Sequence, residues 1–298
     1  MRRMTFAILS LFLLGVPLRA QPVPGRDLLR FPLGTMDRAP ALGSALGEGL
    51  GNPASIALLD TLRVHAGIAA VQTSPEQGVT LQVGAVTVRL PEGFVVTASF
   101  ARATVTDLVH TQTDPQSIGG DIPYSTQLVS TGLARRIGFL SAGAALRYRR
   151  GHVDLRTDDE LGADFGLLAS GLPLRDLSIG VGTFLWRPGR SLDQFTAINA
   201  AADLRIAGNS AIRQLRAGYS SAKIVSGARE EFIFTHARYG IWEGRAGLAR
   251  DHVHGPQFWR TRLGITVHVA PYAVGIAREE NGAGLDAIYQ FTLSARLR

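Results

Sequence analysis

The groups in this chain best suited to ligate a metal or move a proton are Asp251-His252-Val253-His254, with a second acidic pair at Asp158-Asp159. A zinc site takes three or four protein ligands, and His252 and His254 supply two with no evident third, so no metal is expected. Adjacent Asp and His can activate water for hydrolysis, but the spacing fits no protease motif, and both clusters read as solvated loops. Gly-x-Ser-x-Gly is absent, which removes the hydrolase elbow. Gly180-x-Gly182 lies within an apolar alternation and not between a strand and a helix, so it is not read as a dinucleotide site. The chain is therefore expected to be no enzyme and to need no cofactor.

The more telling charged residues are arginines that alternate singly with apolar neighbours: Arg135, Arg147, Arg149, Arg205, Arg216, Arg245, Arg260, Arg262 and Arg296. Lys223 is the only lysine, and the formal charge is +7. Three of those positive charges, Arg2, Arg3 and Arg19, fall in a removable leader, leaving about +4. Nucleic-acid binding needs clustered basic residues, so it is not expected. An arginine on every second position marks one face of a strand, because side chains alternate across it. Arg147, Arg205, Arg216, Arg260 and Arg262 are the candidate lumen-facing residues of a barrel. They could draw anions inward, or pair with acids such as Asp203, Glu231 and Asp251 and fill the interior, since buried charges are normally paired.

The elements that must carry these residues follow from the same period. Tyr289, Phe291, Leu293, Ala295 and Leu297 oppose Gln290, Thr292, Ser294, Arg296 and Arg298; Leu263, Ile265 and Val267 oppose Arg262, Gly264, Thr266 and His268. Such segments start near Leu62, Gly78, Phe94, Ser125, Phe139, Leu161, Leu177, Phe195, Ala211, Arg229, Gly244, Phe258, Tyr272 and Leu285, which predicts an all-β, transmembrane antiparallel β-barrel of about 14 strands. Tight turns at Pro91-Glu92-Gly93, Ile137-Gly138, 173–176, Gly208-Asn209, 240–243 and Ala270-Pro271 occupy every second connection; longer ones, led by 108–124 and 151–160, lie between them. Short periplasmic turns alternating with longer outer loops are a membrane-barrel signature. The parity places both termini in the periplasm. A soluble sandwich is the competing architecture, but it needs apolar inner faces, which the arginine face does not supply. Trp186, Trp242 and Trp259 fall near strand ends, where an aromatic girdle or core packing would use them.

Ahead of the strands, Met1-Arg2-Arg3, an apolar run from Phe6 to Val16 and Leu18-Arg19-Ala20 have the layout of a secretory signal over residues 1–20. The run is shorter than the roughly 20 apolar residues of a spanning helix. Cysteine is absent, so neither disulfides nor a lipid-modified Cys can hold the chain. Residues 21–60 are rich in Gly, Pro and Ala without a sustained period and precede a barrel over 61–298.

That segment ends in Gly47-Glu48-Gly49-Leu50-Gly51-Asn52-Pro53-Ala54 directly before the first strand. The run resembles the amino-terminal region of the FadL family of fatty-acid transporters and the related PorV and PorQ outer-membrane proteins. The resemblance implies that Asn52, Pro53 and Ala54 belong to a plug folded into a fourteen-stranded barrel in the cell outer membrane. Arg298 stands where such proteins usually end on an aromatic residue, and the chain is short for a fatty-acid transporter. Two functions stay open: a passive transporter for small hydrophobic molecules, or a PorV-like binding or assembly component of a secretion system without transport activity. The expected partners are outer-membrane lipid, the barrel-assembly machinery during insertion, and either a hydrophobic small-molecule ligand or secretion-system proteins.

Overall fold

The computed structural model describes residues 38–43, 46–47, 49–59, 64–74, 78–106, 108–111, 118–186, 197–208, 212–224, 229–252, 259–280 and 287–297. The expected signal lies outside them. The strands are β1 (Val64–Gln72), β2 (Val79–Arg89), β3 (Phe94–Val105), β4 (Val109–Thr111), β5 (Ile118–Asp121), β6 (Tyr124–Ile137), β7 (Leu140–Val153) and β8 (Arg156–Leu172). They continue with β9 (Leu177–Phe184), β10 (Ala197–Ala207), β11 (Ile212–Ile224), β12 (Arg229–Tyr239), β13 (Trp242–His252), β14 (Trp259–Val269), β15 (Tyr272–Glu280) and β16 (Ile288–Leu297). Among the described residues, fourteen of these close into one antiparallel barrel, β1 pairing with β16 and β3 with β6 across the separate β4–β5 hairpin.

Closure has a physical cause in the alternation. Ile68, Phe100, Val129, Ile233, Leu263 and Phe291 point outward and stay exposed, whereas Thr97, Ser130, Arg147, Arg216, Arg262 and Gln290 point inward and are buried. An apolar exterior wrapped round a polar interior suits lipid outside, where no backbone N–H or C=O can be left without a partner, and a closed barrel has no edge. The described residues contain no helix long and apolar enough to cross a membrane.

The tight connections stand at one rim, with Gly138 and Gly240 turning in the left-handed region at φ 61° and 56°. Val64 opposite Leu297 brings both ends of the barrel to that short-turn rim. At the other rim one expectation fails. Residues 151–160 were expected to form an outer loop, but β7 and β8 run on to a turn at Asp154-Leu155, and β8 begins at Arg156 instead of near Leu161. The acids that interrupt the apolar alternation are matched across the hairpin, Arg149 opposite Glu160 and Arg150 opposite Asp159. Opposite charges facing each other stabilise a strand pair, so the ladder outlasts the apolar belt.

The outward face yields a prediction. Leu263 lies mid-strand and is half exposed, whereas Leu155 at the hairpin tip is 95% exposed. Leu263→Arg should lower the unfolding free energy of the lipid-reconstituted barrel by about 2–4 kcal/mol. Leu155→Arg should leave it unchanged in the same denaturant titration.

Candidate functional site: the lumen and the leading segment

The described residues between 38 and 59 lie in the lumen, and Asn52 is their hub. Its backbone is extended (φ −161°, ψ 105°) and it caps a 3-10 turn at Pro53–Leu58, its side-chain oxygen accepting from the Ala54 N–H. Pro53 suits the first position of such a turn, since its φ is preset and its missing N–H leaves no donor to satisfy. The Asn52 amide nitrogen donates to the Ala41 carbonyl at 2.6 Å and to the Leu167 carbonyl of β8 at 3.1 Å. The Ser55 hydroxyl donates back to the Asn52 carbonyl at 2.7 Å. Asn52 thus ties two parts of the segment to each other and to the wall, and it is fully buried.

The wall is shaped to receive it. Gly143, Gly166 and Gly182 stand opposite one another across β7, β8 and β9, and Asn199 of β10 continues the row beside Gly182. A Cβ on Gly166 would sit 1.9 Å from the Asn52 side-chain oxygen, one on Gly143 2.6 Å from the Pro53 carbonyl carbon, and one on Gly182 2.3 Å from the Gly51 carbonyl oxygen. Gly180, one inward position along β9 from Gly182, meets the Ala41 carbonyl oxygen at 2.2 Å on the same construction. These are impossible separations for any side chain, so glycine lets the segment lie flat on the wall. Asn199 then donates to the Gly51 carbonyl at 3.2 Å.

Other inward side chains satisfy the segment's carbonyls. Arg147 donates to Gly49 at 3.0 Å and Thr87 to Gly47 at 2.9 Å, while Arg38 reaches Glu243 at 3.4 Å. At one end Ala39 and Ala41 pack with Phe232 and Phe234, and at the other Ile56 and Ala57 pack with Val95 and Ala134. Leu46 and Leu50 join an inward apolar sector of Val71, Leu81, Val83, Ala101, Ala103, Leu128 and Ile288.

The candidate arginines fall into separate acid-paired clusters. Arg147 pairs with Asp164 and lies 5.3 Å from the Phe184 ring centroid. Arg216 forks onto Asp203 at 2.8 and 2.9 Å and bonds Asp176 at 2.8 Å; Arg205 reaches Asp176 at 3.2 Å from the exposed short-turn end. Arg260 and Arg262 share Glu230 and Glu279, with Arg260 at 2.7 and 2.6 Å and Arg262 bidentate on Glu230 at 2.8 and 3.0 Å. Two parallel N–H···O bonds make an arginine–carboxylate pair strong and directional. A further cluster gathers His236 and His268 on Glu243 at 3.0 and 2.6 Å, with Arg245 on the same carboxylate.

Several expectations need correction. Arg135 faces outward, its guanidinium 4.7 Å from the Phe94 ring, because Arg136 takes the inward parity at that end of β6. Glu231 also faces outward and accepts from the Tyr219 hydroxyl at 3.0 Å. The acids that pair are Asp164, Asp176, Glu230 and Glu279, together with Asp203. Asp158 and Asp159 lie within β8 and not in a loop, Asp158 contacting Arg156 at 2.6 Å. Among the described residues no group of three metal-binding side chains occurs; His254 lies outside them. The glycine row escaped sequence reasoning, although Gly180-x-Gly182 was noticed for a different chemistry. Its signal was present: glycine recurring at inward positions of adjacent strands marks a close backbone approach.

No family model matches the sequence, and none of the curated proteins compared matches it. Among solved structures, the Ralstonia pickettii toluene transporter TbuX aligns with TM-score 0.56 at 11% identity, covering 90% of this chain and 100% of that one. The TodX deltaS2S3 mutant monoaromatic hydrocarbon channel aligns with TM-score 0.56 at 11% identity over 88% and 97% of the two chains. A Rhodopseudomonas blastica porin mutant scores 0.44 at 9% identity over 79% and 99%. The feature shared with TbuX and TodX is the fold, a closed β-barrel, and a closed barrel with this apolar exterior fits an outer membrane.

If the glycine row seats the segment, Gly166→Leu should displace it while leaving the wall intact. Limited proteolysis should then cut within 38–59 in the variant and not in the parent, with heat-modifiable migration retained in both.

Proposed function

We propose that this protein is a passive outer-membrane channel for small hydrophobic molecules, with residues 21–60 as its plug and the short-turn rim, with both termini, in the periplasm. The observation that carries this reading is the inward apolar sector of β1, β2, β3, β6 and β16, which meets the leading segment at Leu46 and Leu50. The sector is buried against Leu46 and Leu50, so an apolar solute reaches it by displacing the segment and then gains roughly 25 cal/mol per Å² of surface it buries there. The toluene transporter and the monoaromatic hydrocarbon channel with which the fold aligns support the same substrate class. The Asn52-Pro53-Ala54 run, which resembles the FadL family, supports a plug at this position.

A second reading rests on the opposite sector, where Arg216, Arg245, Arg260 and Arg262 are locked to carboxylates. A lumen closed by such pairs suits a binding or assembly component with no solute path.

Deleting residues 21–50 should raise the permeability of reconstituted vesicles to small solutes while heat-modifiable migration persists. Leu128→Asn should reduce uptake of toluene by cells about tenfold, the effect of roughly 1.4 kcal/mol of lost apolar contact. Uptake equal in parent, variant and cells lacking the protein would contradict the channel and favour the assembly reading.

A further inference from the structure

The Glu243 carboxylate, on the lumen side of β13, has more neighbours than it can satisfy. Its Oε1 faces three cationic or cation-forming groups: Arg245 from the same strand, Arg38 from the leading segment at 3.4 Å, and His236 Nε2 at 3.0 Å. Its Oε2 meets His268 Nε2 at 2.6 Å. Each carboxylate oxygen carries two lone-pair sites, so Oε1 can accept from two of its three neighbours. In the structure those two are the arginines, both of which donate to Oε1, whereas His236 Nε2 is buried and makes no hydrogen bond.

Arg38 holds the weakest of these places. Its contact is the longest of the four, its side chain is 28% exposed, and it belongs to the segment and not to the wall. The stretch behind it is short: the Leu42 amide donates to the Ala39 carbonyl at 3.0 Å, and Ala39 and Ala41 pack on Phe232 and Phe234. The other charged or titratable groups facing Glu243 come from each neighbouring strand. From β11 comes Arg216, opposite His236 and already held by Asp203 and Asp176; from β12 comes Arg238, directly opposite Glu243. On β15 the residue opposite His268 is the uncharged Ala273. Asp37, one residue ahead of Arg38, lies outside the described residues.

We propose that Glu243, His236 and His268 form an acid-operated latch on the leading end of the plug: protonating the two imidazoles gives Oε1 to His236 and releases Arg38, so that residues 38–42 leave the wall while Asn52 keeps its seat. Imidazole is the side chain whose charge ordinarily changes between about pH 5 and pH 8. A protonated ring donates a charge-assisted bond to carboxylate, shorter and stronger than a neutral one, and so displaces the most distant competitor. Each proton also adds a positive charge in front of Arg38, beside Arg238 and Arg245, without adding a carboxylate to balance it. Neutral rings leave Oε1 to the two arginines, which is the latched state. The latch rests on the leading segment lying in the lumen, as in the proposed function, and is independent of which solute passes.

The test is hydrogen–deuterium exchange of the full lipid-reconstituted barrel at about pH 5 and about pH 7.5, near the two ends of the imidazole range, with rates corrected for the pH dependence of the chemical step. The Leu42 amide should lose protection at least about tenfold at the lower pH, while the Ala54 amide, bonded to the Asn52 side chain, keeps its own. Combined His236→Gln and His268→Gln should keep Leu42 protected at both pH values, because glutamine can donate to the carboxylate without gaining charge. Arg38→Gln should leave Leu42 poorly protected at both. Heat-modifiable migration checks that each variant is folded. Full protection of Leu42 at both pH values in the parent, an acid loss that persists in the folded double-histidine variant, or acid loss of Leu42 and Ala54 together would overturn the latch and leave the plug standing. Leu42 and Ala54 both unprotected at about pH 7.5 in the parent would overturn the plug and the latch with it.

Discussion

The contact on which the interior depends is that between Asn52 and the row Gly143–Gly166–Gly182. A peptide segment inside a barrel brings carbonyls and amides into a space from which bulk water is largely excluded, and each one left without a partner costs about 1–3 kcal/mol. The glycines remove side chains from the wall at three adjacent strands, and Asn52 lies over them. From that fixed point the rest of the pairing follows. Asn199 meets the Gly51 carbonyl, Arg147 meets Gly49, and Thr87 meets Gly47. Replacing Asn52 by a residue without both a donor and an acceptor would strand the Ala54 amide and the Ala41 carbonyl together.

The same constraint divides the lumen. Strands that present arginine have nearby strands that present the acids that neutralise it: Asp203 of β10 pairs with Arg216 of β11, and Glu230 of β12 and Glu279 of β15 together take Arg260 and Arg262 of β14. Removing one member of such a set would leave a buried charge uncompensated, which is far costlier than the pair's own net contribution. Strands β1, β2, β3, β6 and β16 carry no comparable network among the described residues and turn Val71, Leu81, Val83 and Leu128 inward instead. The interior is therefore polar and cross-linked by ion pairs on one side and carries an apolar patch among uncharged polar residues on the other, with the leading segment running from the Arg38–Glu243 contact to Ile56.

Much of the wall could be read directly from the sequence, because period-2 alternation is a local property. Strands such as β3 at Phe94, β9 at Leu177, β12 at Arg229 and β15 at Tyr272 begin where the alternation begins. The reading broke down where charge replaced hydrophobicity. Asp158, Asp159 and Glu160 look like a loop until their cross-strand partners are known, and that knowledge is non-local. Arg135 was placed inside because an end-of-strand arginine carries no parity of its own once the apolar belt has ended. Of the acid partners Asp203 was legible, whereas Asp164 and Asp176 become neighbours of Arg147 and Arg216 only once the strands are in register. The seat of the leading segment was legible only in fragments, as an Asn-Pro pair and scattered glycines, because what unites them is their register across three strands.

The seating of Asn52 in the lumen is best tested by single-cysteine labelling, for which a chain without native cysteine needs no background substitutions. Ser55→Cys and Leu155→Cys would be treated with a small charged methanethiosulfonate in lipid-reconstituted barrel. The cysteine at position 155, at the exposed hairpin tip, should react at once; the cysteine at position 55, beneath Asn52 and buried in the segment's seat, should react only after denaturation. Equal rates at the two positions in the folded protein would show that the segment does not occupy the lumen.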